Sequence, residues 1–318
     1  MKILKIIGFL LLFIVIAAGL GGLYINTALP NVGENPNIVI KSTPDRIERG
    51  RYLANHVTVC MDCHSTRDWS SFSAPLVPGT LGKGGERFDQ NMGFPGEIYS
   101  PNITPHGVSS WTDGELVTAI TAGVNKDGKA LFPLMAYKRF GKMSKEDIYS
   151  IVAYIRSLKP EPSDIPETRL DFPVNLINKT MPERVAFEKM PNPSDSLKYG
   201  GYLVNAAGCV DCHSKTDKGQ IIAGTEFGGG MEFQQPAGTI KSSNITMHKT
   251  NGIGGWSKEA FVNRFTAYAD RAYVPLKLQK TQLNTPMPWT MYGGMKPGDL
   301  EAIFVYLKSV KIQDNKVK

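Results

Sequence analysis

The stretch Gly50-Arg51-Tyr52-Leu53-Ala54-Asn55-His56-Val57-Thr58-Val59-Cys60-Met61-Asp62-Cys63-His64 decides the fold, because it returns as Gly200-Gly201-Tyr202-Leu203-Val204-Asn205-Ala206-Ala207-Gly208-Cys209-Val210-Asp211-Cys212-His213. Both versions end in C-x-x-C-H, and together they use all four cysteines of the chain. That pentapeptide is the attachment signature of c-type haem: the two thiols add across the haem vinyl groups, and the adjacent histidine reaches the iron. One copy alone also fits a zinc half-site or a redox dithiol. Here each cysteine pair carries its own histidine and the pairs lie far apart, so a shared zinc is a contrived alternative. Two covalently bound haem c groups are expected, on Cys60, Cys63 and His64 and on Cys209, Cys212 and His213, with both histidines on iron.

Working outward, the repeat covers each half. Ser100-Pro101-Asn102-Ile103-Thr104 answers Ser242-Ser243-Asn244-Ile245-Thr246, and Trp111-Thr112 answers Trp256-Ser257. Met135-Ala136-Tyr137 and Met143 answer Met287-Pro288-Trp289 and Met295. Tyr52 precedes Cys60 by eight residues and Tyr202 precedes Cys209 by seven, so the first copy carries one inserted residue. Apolar positions Ile148, Ile151, Val152 and Ile155 have helical spacing, repeated at Leu300, Ile303, Phe304 and Leu307. Thr112 with Glu115 reads as a capping box, and Ser144 with Asp147 as a similar start. Gly50 and Gly200 would let the first helix of each unit approach the last one, with Tyr154 and Tyr306 filling the crossings. Short strands are expected in the glycine-rich stretches 79–98 and 219–240.

The organisation expected is a transmembrane signal-anchor at 1–25, a spacer at 26–44, a haem domain at 45–159, a proline-rich linker at 160–196, a second domain at 197–312 and a polar tail at 313–318. Ile6 to Ile25 carries no charge and is long enough to span a hydrocarbon core. Lys2 and Lys5 place the N-terminus in the cytoplasm and the haem domains in the periplasm, on a single pass through a bacterial inner membrane. A signal peptide cleaved near Ala17-Ala18-Gly19 is the alternative. The formal charge of +7 falls once haem propionates are counted. No run of Lys and Arg interleaved with aromatics supports nucleic-acid binding, so a lysine-rich solvated surface suffices.

These residues resemble the class I cytochrome c fold, and more narrowly the multihaem cytochrome c subunits of membrane-bound bacterial alcohol and gluconate dehydrogenases. The carriers are both C-x-x-C-H sites, the Asn-Ile-Thr segments, the tryptophans opening the middle helices and the Met-x-Tyr/Trp segments. The resemblance covers about residues 45–310. It implies a mainly α fold with two tandem class I domains behind the N-terminal transmembrane helix, where those subunits usually have three. It also implies a methionine sixth ligand in a loop before the last helix. Met135 lies 71 residues after His64 and Met287 lies 74 after His213, each two residues before an aromatic, so these two are expected on iron. Met143, Met295, Met92 and Met231 are rivals better read as packing residues. His106 and His248 occupy matched sites, where bis-histidine ligation is the minor alternative, and His56 completes the set. Asn102, Asn244, Trp111 and Trp256 are candidate pocket residues, with Arg67 and Trp69 as candidate propionate donors.

The function expected is a single-electron relay in a respiratory chain, with no catalytic residue on the chain itself. Its redox partners would be a periplasmic dehydrogenase, a quinol-oxidising complex or a terminal oxidase. The alternative is a dihaem enzyme, a peroxidase or thiosulfate-type oxidoreductase, which needs one iron open to substrate. Both halves offer the same methionine and no fifth cysteine exists, which disfavours it.

Overall fold

The computed structural model describes residues 2–269 and 272–317. Met1 and Lys318, the outer ends of the expected anchor and tail, lie outside the described residues. Helix α1 (Lys2–Ala28) has no charge between Ile6 and Ala28 and none of its residues buried, and it is long and apolar enough to cross a membrane. Its end is tied to the rest by Lys179, whose Nζ donates to Asn26 Oδ1 at 2.7 Å.

The first repeat opens with α2 (Pro44–Tyr52), capped by Thr43, and passes through a π-helical turn (Leu53–Val57) into α3 (Cys60–Cys63). Strands β1 (Arg87–Phe88) and β2 (Gly96–Tyr99) follow, then α4 (Pro105–Val108), α5 (Asp113–Ala122), α6 (Tyr137–Phe140) and α7 (Lys145–Ser157). Residues 159–196 are mostly irregular, with β3 (Arg169–Leu170) and α8 (Val174–Ile177). They lie along the molecule, since β3 pairs antiparallel with β2. The second repeat runs α9 (Ser196–Ala207), α10 (Cys209–Cys212), the hairpins β4 (Thr216–Asp217) with β5 (Gln220–Ile221) and β6 (Glu232–Gln235) with β7 (Gly238–Lys241), then α11 (Lys258–Thr266), α12 (Trp289–Tyr292) and α13 (Pro297–Leu307).

The inserted residue of the first copy is absorbed in the π turn, closed by Thr58 N donating to Leu53 O at 2.8 Å. A π turn holds one more residue than an α turn, so α2 and α3 keep the relative placement of α9 and α10. Each motif is entered through a left-handed residue, Gly208 at φ 71° and Val59 at φ 46°. Glycine takes that conformation freely, and the β-branched valine does so under strain.

The expected helix crossings are present. A Cβ on Gly50 would stand 1.8 Å from Ser150 O, and one on Gly200 would stand 2.0 Å from Ala302 O. Tyr154 and Tyr306 flank the same two contacts. Thr112 and Glu115 form the full capping box of α5. Ser144 caps α7, but Asp147 does not return the bond. Its carboxylate is drawn instead to Arg49 at 2.8 Å and to the Tyr202 hydroxyl at 2.6 Å, where a cation and a buried phenol outcompete a backbone N–H.

The two repeats share one hydrophobic core and meet reciprocally. Tyr202 OH donates to Asp147 at 2.6 Å, and its counterpart Tyr52 donates to Asp299 at 2.5 Å. Ser144 N and Lys296 N, at the starts of α7 and α13, each donate to those hydroxyls at 3.1 Å. His56 Nδ1 donates to Met291 O at 2.8 Å, while Asn205 Nδ2 donates to Arg139 O at 3.1 Å. Residue i of one copy meets residue j of the other and the converse, the mark of an approximate two-fold relation.

Candidate haem-binding sites

Each C-x-x-C segment is a single helical turn, which leaves its two thiols near one another. Among the described residues all four cysteines are unpaired. Cys60, Cys63 and Cys209 are partly buried and Cys212 is exposed. Burial pushes the Cys63 thiol up to about 12, with Asp62 adding to the effect, and the Cys209 thiol up to about 12. A redox-active C-x-x-C pair is favoured by a depressed thiol pKa, and burial shifts these thiols the other way.

The histidines are held alike. His64 Nδ1 lies 2.8 Å from Pro101 O, and His213 Nδ1 lies 2.7 Å from Ser243 O. A carbonyl can only accept, so Nδ1 carries the proton and Nε2 presents its lone pair. Burial lowers the pKa of both imidazoles, keeping them in the neutral form that binds iron. Two free thiols and a neutral imidazole with a free Nε2 are the donor set that haem c requires, and the residues fit the group at both motifs.

The Asn-Ile-Thr segments acquire a physical reason here. Asn102 Oδ1 accepts from Thr104 N at 2.9 Å and from its hydroxyl at 2.7 Å, and Asn244 repeats both bonds with Thr246. Asn102 Nδ2 donates to Glu161 O at 2.7 Å and Asn244 Nδ2 to Gln313 O at 2.8 Å, tying down the segment after the last helix of each copy. The asparagines thus fix the loop whose preceding carbonyl orients the histidine. Their amides are spent on backbone and on Thr and Ser hydroxyls, which makes them loop-organising residues. Sequence reading missed Gly84 and Gly229. Their N–H groups bind His64 O at 2.9 Å and His213 O at 2.8 Å. A Cβ on either would come within 2.5 Å of the Pro101 or Ser243 segment, and both have positive φ. The matched Gly84-Gly85 and Gly229-Gly230 pairs were the available signal.

Met135 and Met287 sit half-buried at the same place in each copy, immediately before α6 and α12. Each closes a tight turn, with Tyr137 N on Met135 O and Trp289 N on Met287 O, both at 2.8 Å. Their rivals Met143 and Met295 are fully enclosed in the core, and Met92 is exposed. His106 is exposed on α4, and His248 is engaged by Asn251 N at 3.0 Å and by Asp314.

Arg67 and Trp69 are otherwise employed. Arg67 bonds Asp62 and Glu86, both at 2.9 Å, and Trp69 Nε1 donates to Glu86 at 2.7 Å. Arg67 also stacks on the Trp69 ring at 4.2 Å. Two nearby carboxylates claim the guanidinium, so neither residue is left as a free propionate donor. Asp62, inside the first motif, is raised to about 6 by burial, against the pull of Arg67.

The helices after the methionine turns reach across the molecule. Arg139 of α6 pairs with Asp211 of the second motif at 2.7 Å and packs over Gly208. At the equivalent position of α12, Met291 joins the buried cluster containing Met61 of the first motif. Tyr292 donates to Ala207 O at 2.6 Å, next to the second motif.

No family model matches the chain. It is 29% identical over 286 residues to the fructose dehydrogenase cytochrome subunit of Gluconobacter japonicus, covering 83% of this chain and 52% of that protein. It is 26% identical over 301 residues to the alcohol dehydrogenase (quinone) cytochrome c subunit of Gluconacetobacter polyoxogenes, covering 85% and 58% respectively. A diheme cytochrome c-type protein of Cereibacter sphaeroides is 26% identical over 228 residues, which is 67% of this chain and 72% of that one. The chain therefore spans little more than half the length of the dehydrogenase subunits it matches. The similarity to cytochrome c subunits of dehydrogenases agrees with the family that the motifs resemble.

Proposed function

We propose that the chain is a dihaem c-type cytochrome, anchored in the bacterial inner membrane by α1, that relays single electrons from a periplasmic dehydrogenase toward a quinol-oxidising complex or terminal oxidase. Two tandem class I cytochrome c domains carry it, one on each side of residues 160–196. The observation that supports this best is the duplicated histidine setting, in which His64 and His213 each give Nδ1–H to a carbonyl and keep Nε2 free. A bound haem supplies an iron that alternates between ferric and ferrous states. The chain does the rest. Cys60 and Cys63, with Cys209 and Cys212, would hold the two groups covalently, and Met135 and Met287 would supply the ligands opposite the histidines. If these methionines ligate iron, neither site would offer an open iron to substrate, which favours a carrier over an enzyme.

The reciprocal contacts support a short route between the two groups. Met291 packs on the first motif, Arg139 pairs with the second, and both belong to the same interface.

Haem content tests the reading. The mature full-length chain should carry two haems, and Cys60→Ser/Cys63→Ser and Cys209→Ser/Cys212→Ser should each remove one. In near-infrared magnetic circular dichroism both irons should show methionine-to-iron charge transfer, and the reduced protein should ignore carbon monoxide. A wild-type haem that takes up carbon monoxide would favour the enzyme reading.

A further inference from the structure

The two methionine turns are not braced alike. The Met135 turn receives no side-chain hydrogen bond among the described residues; its carbonyl accepts only Tyr137 N. The Met287 turn is clamped by the other half of the molecule. Ser73 Oγ donates to Met287 O at 2.8 Å and accepts Trp289 N at 2.8 Å, spanning the turn from both ends. Ser73 is itself fixed by Asn284, whose Oδ1 accepts Ser73 N at 2.9 Å and whose Nδ2 donates to Ser71 O at 2.9 Å. Both Ser73 and Asn284 are buried.

The backbone at this place is strained. Ser73 and Ala74 adopt φ 64° and φ 42° in succession, a left-handed conformation that disfavours residues with a Cβ. Strain of this kind persists only where the surroundings over-determine it, and it gathers at functional positions. Here it aims one hydroxyl at the turn that carries Met287.

We infer that Ser73, positioned by Asn284, holds the Met287 turn in the geometry that keeps its sulfur on the second iron, so that a loop of the first repeat secures the axial ligand of the second haem. This rests on the reading that Met287 is that ligand. Among the described residues no side chain of the other repeat bonds the Met135 turn itself; the contacts across the interface there reach α6 only, through Arg139.

Ser73→Gly separates positioning from packing. Glycine accepts a φ of 64° without strain, which offsets part of the cost of losing the bridging hydroxyl and its two hydrogen bonds, so the fold is retained. The assay uses the full-length, haem-loaded chain in detergent and reads carbon monoxide uptake on reduction together with the methionine charge-transfer signal. The expected result is a folded protein that keeps both haems with at most a modestly lowered melting temperature, carbon monoxide on half of the haem and a charge-transfer signal reduced by up to half. With Met135→His, which removes the first haem from that signal, Ser73→Gly should weaken what remains, and Asn284→Ala should act in the same direction.

A Ser73→Gly protein as inert to carbon monoxide as the wild type, with its full signal, would overturn the brace while leaving methionine ligation intact. Carbon monoxide on both haems would show general loosening and overturn it too. A wild type lacking the signal on the second haem would sink the ligation reading, and the brace with it.

Discussion

Gly50→Ala and Gly200→Ala test the helix crossings on which both haem motifs are hung. The new Cβ would stand 1.8 Å from Ser150 O in the first copy and 2.0 Å from Ala302 O in the second, where ordinary contact begins at 3.4 Å. The obstructing atom is a backbone carbonyl in the middle of α7 or α13, so no side chain can swing aside. The helices would have to part by roughly 1.5 Å, and overpacking of this kind costs about 3 kcal/mol or more. In a domain of this size that lowers the melting temperature by about 6–12 °C.

Gly298→Ala is the internal control. Gly298 lies on α13 with nothing within 4 Å of its would-be Cβ and no positive φ. Alanine there should stabilise by about 0.4–1 kcal/mol through the unfolded state. Thermal unfolding of the three variants, followed by far-ultraviolet circular dichroism on haem-loaded protein, decides the matter. If Gly50→Ala and Gly200→Ala melt with the wild type, the close crossings do not exist as described. If only one of them suffers, the two copies are not packed alike.

Two further outcomes follow from the interface between the repeats. Tyr202→Phe removes a hydrogen bond to the buried Asp147, and Tyr52→Phe removes one to Asp299; each should cost about 1.5–3 kcal/mol in denaturant melts, with unchanged haem content. A loss below experimental error in both would mean that the reciprocal phenols do not join the halves. His56, packed against Met291 and Gly294 beside Tyr52 and Arg51, has its pKa lowered, chiefly by burial, with Arg51 adding to it. Its neutral form is favoured in the fold, so its contribution is complete above the ordinary histidine value and is lost as pH falls through the lowered one. The difference in stability between wild type and His56→Asn should therefore shift against the wild type below about pH 6.5; a difference flat from pH 8 to pH 5 would exclude His56 as the cause.

The duplicated motif announced the histidine settings and the helix crossings, and it matched the two methionine turns, because each rests on a local rule: a fixed spacing, a glycine at a close approach, a cap before an apolar stripe. What escaped was set by contacts distant in sequence. Arg67 read as a propionate donor, since nothing local tells that Glu86 folds back to claim it. Asn102 read as a pocket residue because its bonds to Thr104 and Glu161 become visible only once the loop is closed. The extra residue before Cys60 was plain in the alignment, but its resolution as a π turn needed the backbone. Ser73 carried no signal, because its partner Asn284 lies in the other repeat.

The charge around the two motifs differs, and on the proposed relay reading such differences would set the direction of electron flow. In the first motif Asp62 is buried with Glu86 around a single Arg67, an excess of one negative charge with side chains 6–10% exposed. In the second, the equivalent Asp211 is 45% exposed and is balanced by Arg139. Buried negative charge is weakly screened and would stabilise ferric over ferrous haem, whereas an exposed, balanced pair does little. The first haem should therefore have the lower potential and the second the higher, so that electrons entering at the first run downhill to the second. Glu86→Gln removes the excess charge and can keep a carbonyl for Trp69 and Arg67. Potentiometric titration should then show the lower of two midpoints rising and the higher one unmoved. Movement of the higher midpoint instead would reverse the order of the relay, and movement of neither would show that this buried triad does not set the potential.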